Sequence, residues 1–305
     1  MQQAGAPNPH RAEELEDWLN RRIFHPLSRF MARGLVPTGV TPNMVSVLGV
    51  LVVVGAALVY TRMAWPLGAI LGFLLHLFWH VVDGADGDLA RLTGKTSPIG
   101  EFVDGVCDYL GHIVLYIAFA SVLDDSWGGW AWCLIVLAGG AHIAQNNHYE
   151  SLRRTYLWWA YGVPWLRQSE AGNDLRLREL TWFNLVFGWM ARDYLTLSSA
   201  TAPKPGEIDR LLKSASGNPE QQQALRQIVR DHSGGIMAWS RLLGSNFRTV
   251  LLGVCMLIDS GWAFFVLEVV ALNLLLVLSI RRSRGAEQAA VLAMQAHLAG
   301  GEGRQ

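Results

Sequence analysis

Two pairs of aspartates stand at helical spacing on either side of one short polar turn. Asp83 and Asp86 are three residues apart, Asp104 and Asp108 are four apart, and Gly84, Gly87, Asp88, Ala90, Arg91 and Gly100 lie between the outermost of them. On a helix of 3.6 residues per turn the first pair is about 60° apart around the axis and the second about 40°. Each pair therefore shares a face. Two apolar segments joined by a short turn are antiparallel neighbours, so the four carboxylates can converge. Such a cluster is costly beside lipid unless a cation offsets it. An all-oxygen set without His or Cys suits Mg²⁺, Mn²⁺ or Ca²⁺, and a pair of such ions presents positive charge to a diphosphate. Arg91 can grip a phosphate with two parallel N–H donors. Gly84, Gly87 and Gly100 let backbone and ligand approach closely. Asp88 and Glu101 read as acids that merely solvate a loop. The other four do not, because they share faces and Asp108 lies well inside an apolar run.

The elements that must hold these carboxylates are membrane helices. Hydrophobic residues make up 51% of the 305 and charged residues 16%, against about 25% charged in a soluble domain. The net charge is zero, so bulk charge gives no sign of a nucleic-acid partner. Cys107, Cys133 and Cys255 lie in apolar stretches without metal or disulfide spacing. The first 40 residues show no cleaved signal pattern. Six apolar segments approach the length of a span, at 44–60, 66–82, 102–123, 130–159, 236–258 and 262–280. The fourth is overlong and should emerge before Arg153. Basic residues crowd every second connection: Arg21, Arg22, Arg29 and Arg33 before the first span, Arg91 and Lys95 after the second, Arg153 and Arg154 after the fourth, Arg281, Arg282 and Arg284 after the sixth. This alternation puts both termini and the aspartates on the cytoplasmic side.

The fold expected is thus all-α and polytopic, with six transmembrane helices. Residues 11–34 form an amphipathic interfacial helix through Leu15, Trp18, Leu19, Ile23, Leu27, Phe30 and Met31, kinked at Pro26. A long cytoplasmic segment separates helices four and five. Within it, 180–197 reads as interfacial, and two soluble helices, 207–215 and 220–231, flank a break at Gly217-Asn218-Pro219. The organisation is 11–160 with the motif, 161–235 as an insertion, 236–282 with the last two spans, and 283–305 as a tail.

The run Asp83-x2-Asp86-Gly87-x2-Ala90-Arg91-x8-Gly100-x3-Asp104-x3-Asp108 resembles the CDP-alcohol phosphotransferase signature at every defined position. The resemblance extends to Thr41-Pro42-Asn43, the amphipathic helix and the six-span plan, and covers roughly 11–160 and 236–282. Nothing in 163–235 carries over. The resemblance implies a CDP-linked donor, an alcohol acceptor, two Mg²⁺ or Mn²⁺ ions, and a homodimer in a bacterial inner membrane. Asp83, Asp86, Asp104 and Asp108 would be metal ligands, and Asp108 also the general base. Gly87, Ala90, Arg91 and Gly100 would face the donor.

Arg153, Arg154, Arg241 and Arg248 are the candidates for an acceptor phosphate. Positive-inside anchoring is the simpler reading of such a group. Arg248 is the best of them, since it sits at the head of an apolar run. His76, His80 and His112 read as core histidines with local partners, with a role behind the metal ligands as the alternative. His142, Asn146 and Asn147 either line a polar pocket or serve helix packing. The acceptor reads as inositol, an inositol phosphate or glycerol phosphate. The alternative is a choline or ethanolamine phosphotransferase acting on diacylglycerol. A divalent-cation transporter is disfavoured because the acids cluster at one face and spans five and six add only Asp259 and Glu268. An inactive scaffold is disfavoured because no motif residue is lost.

Overall fold

The computed structural model describes residues 15, 17–96, 98–163 and 206–302, and every regular element among them is helical. The interfacial stretch expected at 180–197, and positions 11–14 and 16, lie outside the described residues. The helices are α1 (His25–Leu35), α2 (Pro42–Arg62), α3 (Leu67–Thr93), α4 (Pro98–Trp127), α5 (Gly129–Tyr161), α6 (Glu207–Ser214), α7 (Pro219–Ser240), α8 (Ser245–Leu257), α9 (Gly261–Leu267) and α10 (Asn273–Glu302). A π turn, Glu268–Leu272, joins α9 to α10 without interrupting the helix. The described residues form two compact units, one drawn from 17–143 and 245–273, the other from 15, 144–163, 206–244 and 274–302.

Four helices among the described residues are long and apolar enough to cross a membrane: Pro42–Arg62, Leu67–Thr93, Val103–Trp127 and Gly261–Gly300. They correspond to the first, second, third and sixth expected spans. The fourth expected span falls in α5, whose Gln145, Asn146, Asn147, Glu150, Arg153 and Arg154 dilute its apolar character. The fifth is divided: α7 ends at Ser240, a short 3-10 turn covers Arg241–Leu243, and α8 restarts at Ser245. With 13 residues, α8 reaches only about 20 Å, short of the hydrocarbon thickness of about 30 Å.

In the first unit, local sequence sets the helix ends that frame the aspartates. Thr41 caps α2 by accepting from the Met44 N–H, and Pro42 occupies the first turn, where its missing N–H is harmless. α3 stops at Gly94, whose φ of 66° an L side chain tolerates poorly. There the Lys95 N–H donates to the Ala90 carbonyl and the Gly94 N–H to that of Arg91. This closed turn ends α3 just after the first aspartate pair and lets α4 begin the second.

Upstream of α1 a π turn covers Asn20–Phe24, and Pro26 stands in the first turn of α1. Phe24, Ser28 and Ala32 face inward at four-residue intervals, while Trp18, Ile23, Leu27 and Phe30 are exposed. The inner face is small because α1 lies close on α3. The Ser28 hydroxyl donates to the Val81 carbonyl at 2.9 Å, and a Cβ on Gly84 would meet Ser28 Oγ at 2.6 Å.

Apolar packing of the unit centres on Val53, Tyr60, Trp79, Leu115, Phe119, Leu252 and Phe265. Small residues set the helix approach, as expected where lipid is as apolar as the interface. A Cβ at Gly253 would overlap the Phe73 ring, whereas one at Gly55 meets nothing within 4 Å. Overpacking costs about 1–3 kcal/mol. Gly253→Ala is therefore expected to lower the melting temperature of the detergent-solubilised protein by several degrees, and Gly55→Ala to leave it unchanged or higher. Equal melting temperatures for the two variants would contradict this packing.

In the second unit α6 and α7 fall where the sequence predicts soluble helices. Asn218 caps α7 by accepting from the N–H groups of Glu220 and Gln221, with Pro219 in the first turn. Their inner faces, with Ile208, Leu212, Leu225 and Val229, pack with Leu152, Tyr156 and Leu157 of α5 and with Ala290 and Met294 of α10. Arg226 and Arg230 reach the end of α5, donating to the carbonyls of Trp158 and Trp159 and of Ala160. The Trp158 indole N–H donates to Asp209 Oδ1 at 2.7 Å.

Candidate metal and phosphate site

The end of α3 and the start of α4 bring the aspartates together. Asp83, Asp104 and Asp108 each offer an oxygen, all within 4.8 Å of one another. Asp83 is in hydrogen-bond contact with Asp108, and Asp86 with Asp104. Asp86 stands outside the trio but is tied to it through Asp104. It is nearly enclosed, and its Oδ2 accepts from the Ser46 hydroxyl of α2 at 2.6 Å. Ions that take oxygen ligands at about 2.0–2.6 Å place those oxygens at most about 4–5 Å apart. The trio satisfies that limit, its donors are all oxygen, and its like charges call for a cation. These residues fit a hard divalent ion.

The donor-side candidates line the same hairpin. Arg91 lies beside Gly87, so that a Cβ there would meet the guanidinium nitrogens at 3.4 Å. Its Nη2 donates to Asp88 at 2.8 Å, while 60% of the Arg91 side chain remains exposed. The guanidinium is open to solvent on its outer side, where an anionic ligand can reach it. Asp88 differs from its reading as a solvated loop acid: it is 7% exposed, because α3 runs on through it to Thr93. Ala90 and Gly100 are half-buried. The side chain of Glu101 lies outside the described residues.

Behind the aspartates the histidines have local partners. The His112 Nδ1–H donates to the Asp108 main-chain carbonyl at 2.7 Å, since a carbonyl only accepts. The Thr249 hydroxyl of α8 meets His80 Nε2 at 2.9 Å and His76 Nε2 at 3.3 Å. His142 joins a polar cluster in which its Nδ1 lies 3.1 Å from Glu268 Oε1. Arg248 is buried there too, and its Nε donates to Glu268 Oε1 at 3.1 Å. Arg153 and Arg154, in the other unit, both donate to Glu150: Arg153 through Nε at 2.9 Å and Nη2 at 2.8 Å, Arg154 through Nε at 2.6 Å.

Sequence reasoning did not single out Ser46 or assign Glu268 a partner. Nothing about a serine in an apolar helix marks it. Glu268 did carry a signal, as a lone carboxylate in an apolar run.

The acidic cluster between two apolar helices, backed by polar contacts, has a donor set that could hold a divalent ion. The family model for CDP-alcohol phosphatidyltransferases matches residues 39–158, which hold all four aspartates. Over residues 39–158 the chain is thus similar to the CDP-alcohol phosphatidyltransferase family. A protein named bifunctional IPC transferase and DIPP synthase, from Thermococcus kodakarensis, is 31% identical over 162 residues, 52% of this chain and 34% of its own length. A phosphatidylinositol phosphate synthase from Mycobacterium marinum is 30% identical over 109 residues, 33% of this chain and 45% of its own. An archaetidylinositol phosphate synthase from Pyrococcus horikoshii is 27% identical over 135 residues, 40% of this chain and 69% of its own. The chain thus spans only a third to two fifths of the length of the bifunctional relatives, 34% and 40% in two of them.

Proposed function

We propose that this protein transfers a phosphoalcohol group, a phosphatidyl group in the first instance, from a CDP-linked donor to the hydroxyl of a polar alcohol, releasing CMP. The observation that carries this reading is the meeting of Asp83, Asp86, Asp104 and Asp108 at one helix hairpin. Mg²⁺ or Mn²⁺ held by these carboxylates, two ions in this reading, would screen the donor's diphosphate. Arg91 binds a donor phosphate, and Gly87, Ala90 and Gly100 leave room for the nucleotide against the helix. Asp108 accepts the proton of the acceptor hydroxyl. That oxygen forms the new bond to the β-phosphorus as the bridging oxygen leaves with CMP, in an in-line displacement.

The acceptor is an inositol-type alcohol, and inositol phosphate is the first choice. Two observations support it: the names of the relatives above, and the presence of arginines suited to a phosphate. Arg248 is the residue we assign to that phosphate, with Arg153 and Arg154 as further candidates. The arrangement is that of a polytopic inner-membrane protein of six spans and an interfacial helix, working as a homodimer with the site and both termini cytoplasmic. The exposed apolar side chains of Trp18, Ile23, Leu27 and Phe30 support the interfacial helix.

CMP release from the purified protein tests the reading. With CDP-diacylglycerol and Mg²⁺, inositol phosphate is expected to drive release at least tenfold over the no-acceptor rate, a difference of about 1.4 kcal/mol in barrier. Inositol and glycerol phosphate are the comparison acceptors. Release only from CDP-choline with diacylglycerol would refute the proposed substrates, and no release from any pair would refute the reaction.

A further inference from the structure

Glu268, remote from the motif in sequence, is fully buried at the start of the π turn. Three donors converge on it. Arg248 Nε and His142 Nδ1 each lie 3.1 Å from Oε1, and the Tyr116 hydroxyl donates to Oε2 in a short hydrogen bond. The cluster is continuous with the aspartate site: the His142 ring centroid is 5.3 Å from that of His112, whose Nδ1–H is bonded to the Asp108 carbonyl. π turns inside helices recur at functional positions.

Stability alone is a poor reason for this arrangement. A buried ion pair can usually be replaced by apolar residues without loss, and the surrounding helices are built from apolar residues. What a carboxylate at Nε does supply is orientation. The guanidinium is planar, so one bond at Nε restricts the rotation of the whole group and the direction in which its other N–H donors point. A group oriented in advance binds its ligand with less loss of freedom.

We infer that Glu268 is a positioning residue for acceptor recognition: it holds the Arg248 guanidinium in the plane in which that arginine receives the acceptor's phosphate. This rests on the assignment of Arg248 to that phosphate. His142, bonded to the same Oε1, fixes the carboxylate in turn.

Steady-state CMP release by the full chain, with inositol phosphate varied at saturating CDP-diacylglycerol, tests it. Glu268→Gln keeps an oxygen at the site but removes the charge-assisted grip. It is expected to raise the acceptor KM about tenfold while kcat and the donor KM stay within about twofold, the signature of a lost binding interaction. Tyr116→Phe serves as the control for loosening, because it removes one donor to Glu268 and leaves the Arg248 bond in place. It is expected to lower the melting temperature without moving the acceptor KM. Arg248→Lys is expected to raise the acceptor KM, and Glu268→Gln added to it to raise it little further, since coupled residues are not additive.

An unchanged acceptor KM in Glu268→Gln, alongside a raised one in Arg248→Lys, overturns the positioning role and leaves the Arg248 assignment standing. An unchanged acceptor KM in Arg248→Lys overturns that assignment and this inference with it. Equal KM increases in Tyr116→Phe and Glu268→Gln reduce Glu268 to general packing and overturn the role. Where Glu268→Gln does not assemble, Glu268→Asp, which withdraws the carboxylate by one methylene, is expected to raise the acceptor KM in the same way, and an unchanged KM there overturns the role equally.

Discussion

Asp108→Asn is expected to abolish CMP release, with kcat falling about 10²–10⁴-fold, the range supplied by a positioned general base. The amide is nearly isosteric with the carboxylate and can still donate to Asp83, which Asp108 touches. The hairpin should therefore keep its shape, and donor binding should be largely spared. Asp108 also offers one of the three oxygens of the candidate metal site, so the variant must be assayed across a metal titration. Loss that persists at saturating Mg²⁺ marks a base, whereas loss that excess Mg²⁺ reverses marks a ligand alone. Full turnover in the variant at ordinary Mg²⁺ would remove Asp108 from the chemistry.

Chelation should have an effect of similar size by a different route. With EDTA the clustered carboxylates keep their mutual repulsion and lose the charge that offsets it, and the diphosphate meets an acidic surface in place of a screened one. Activity is expected to fall to background and to return on adding excess Mg²⁺ or Mn²⁺. The melting temperature should fall in EDTA as well, because an ion bound only by the folded state stabilises it by mass action. Asp83→Asn and Asp104→Asn should each raise the Mg²⁺ concentration needed for half-maximal activity. Turnover indifferent to EDTA would exclude the proposed role of these carboxylates.

The sequence announced the aspartates because their ligand geometry is local. Spacings of three and four on two helices joined by one turn place the oxygens by helix geometry alone, and the closing signal at Gly94 lies in the same stretch. Helix ends at Thr41 and Asn218 were legible for the same reason, since a cap bonds within its own first turn. The tertiary partners were not. Ser46 meets Asp86 across 40 residues, and Arg248 shares Glu268 with Tyr116, 152 residues away from it. No periodicity encodes such distances. The bounds of the fifth span were less legible. A window of apolar residues across 236–258 hides the break after Ser240, where the chain leaves the helix before α8 begins.

The last carbonyls of α5 offer a final consequence. Trp158, Trp159 and Ala160 accept from Arg226 and Arg230, residues 67 to 70 positions later. A helix ordinarily leaves its terminal carbonyls to water or to a nearby cap. At α5 the Gly162 N–H closes the end locally on the Trp158 carbonyl, and the arginines of a segment that leaves the ribosome much later add further donors there, at the entropic cost of closing a long loop. The final turn of α5 should therefore gain hydrogen-exchange protection beyond that of its local cap only when α7 docks on it.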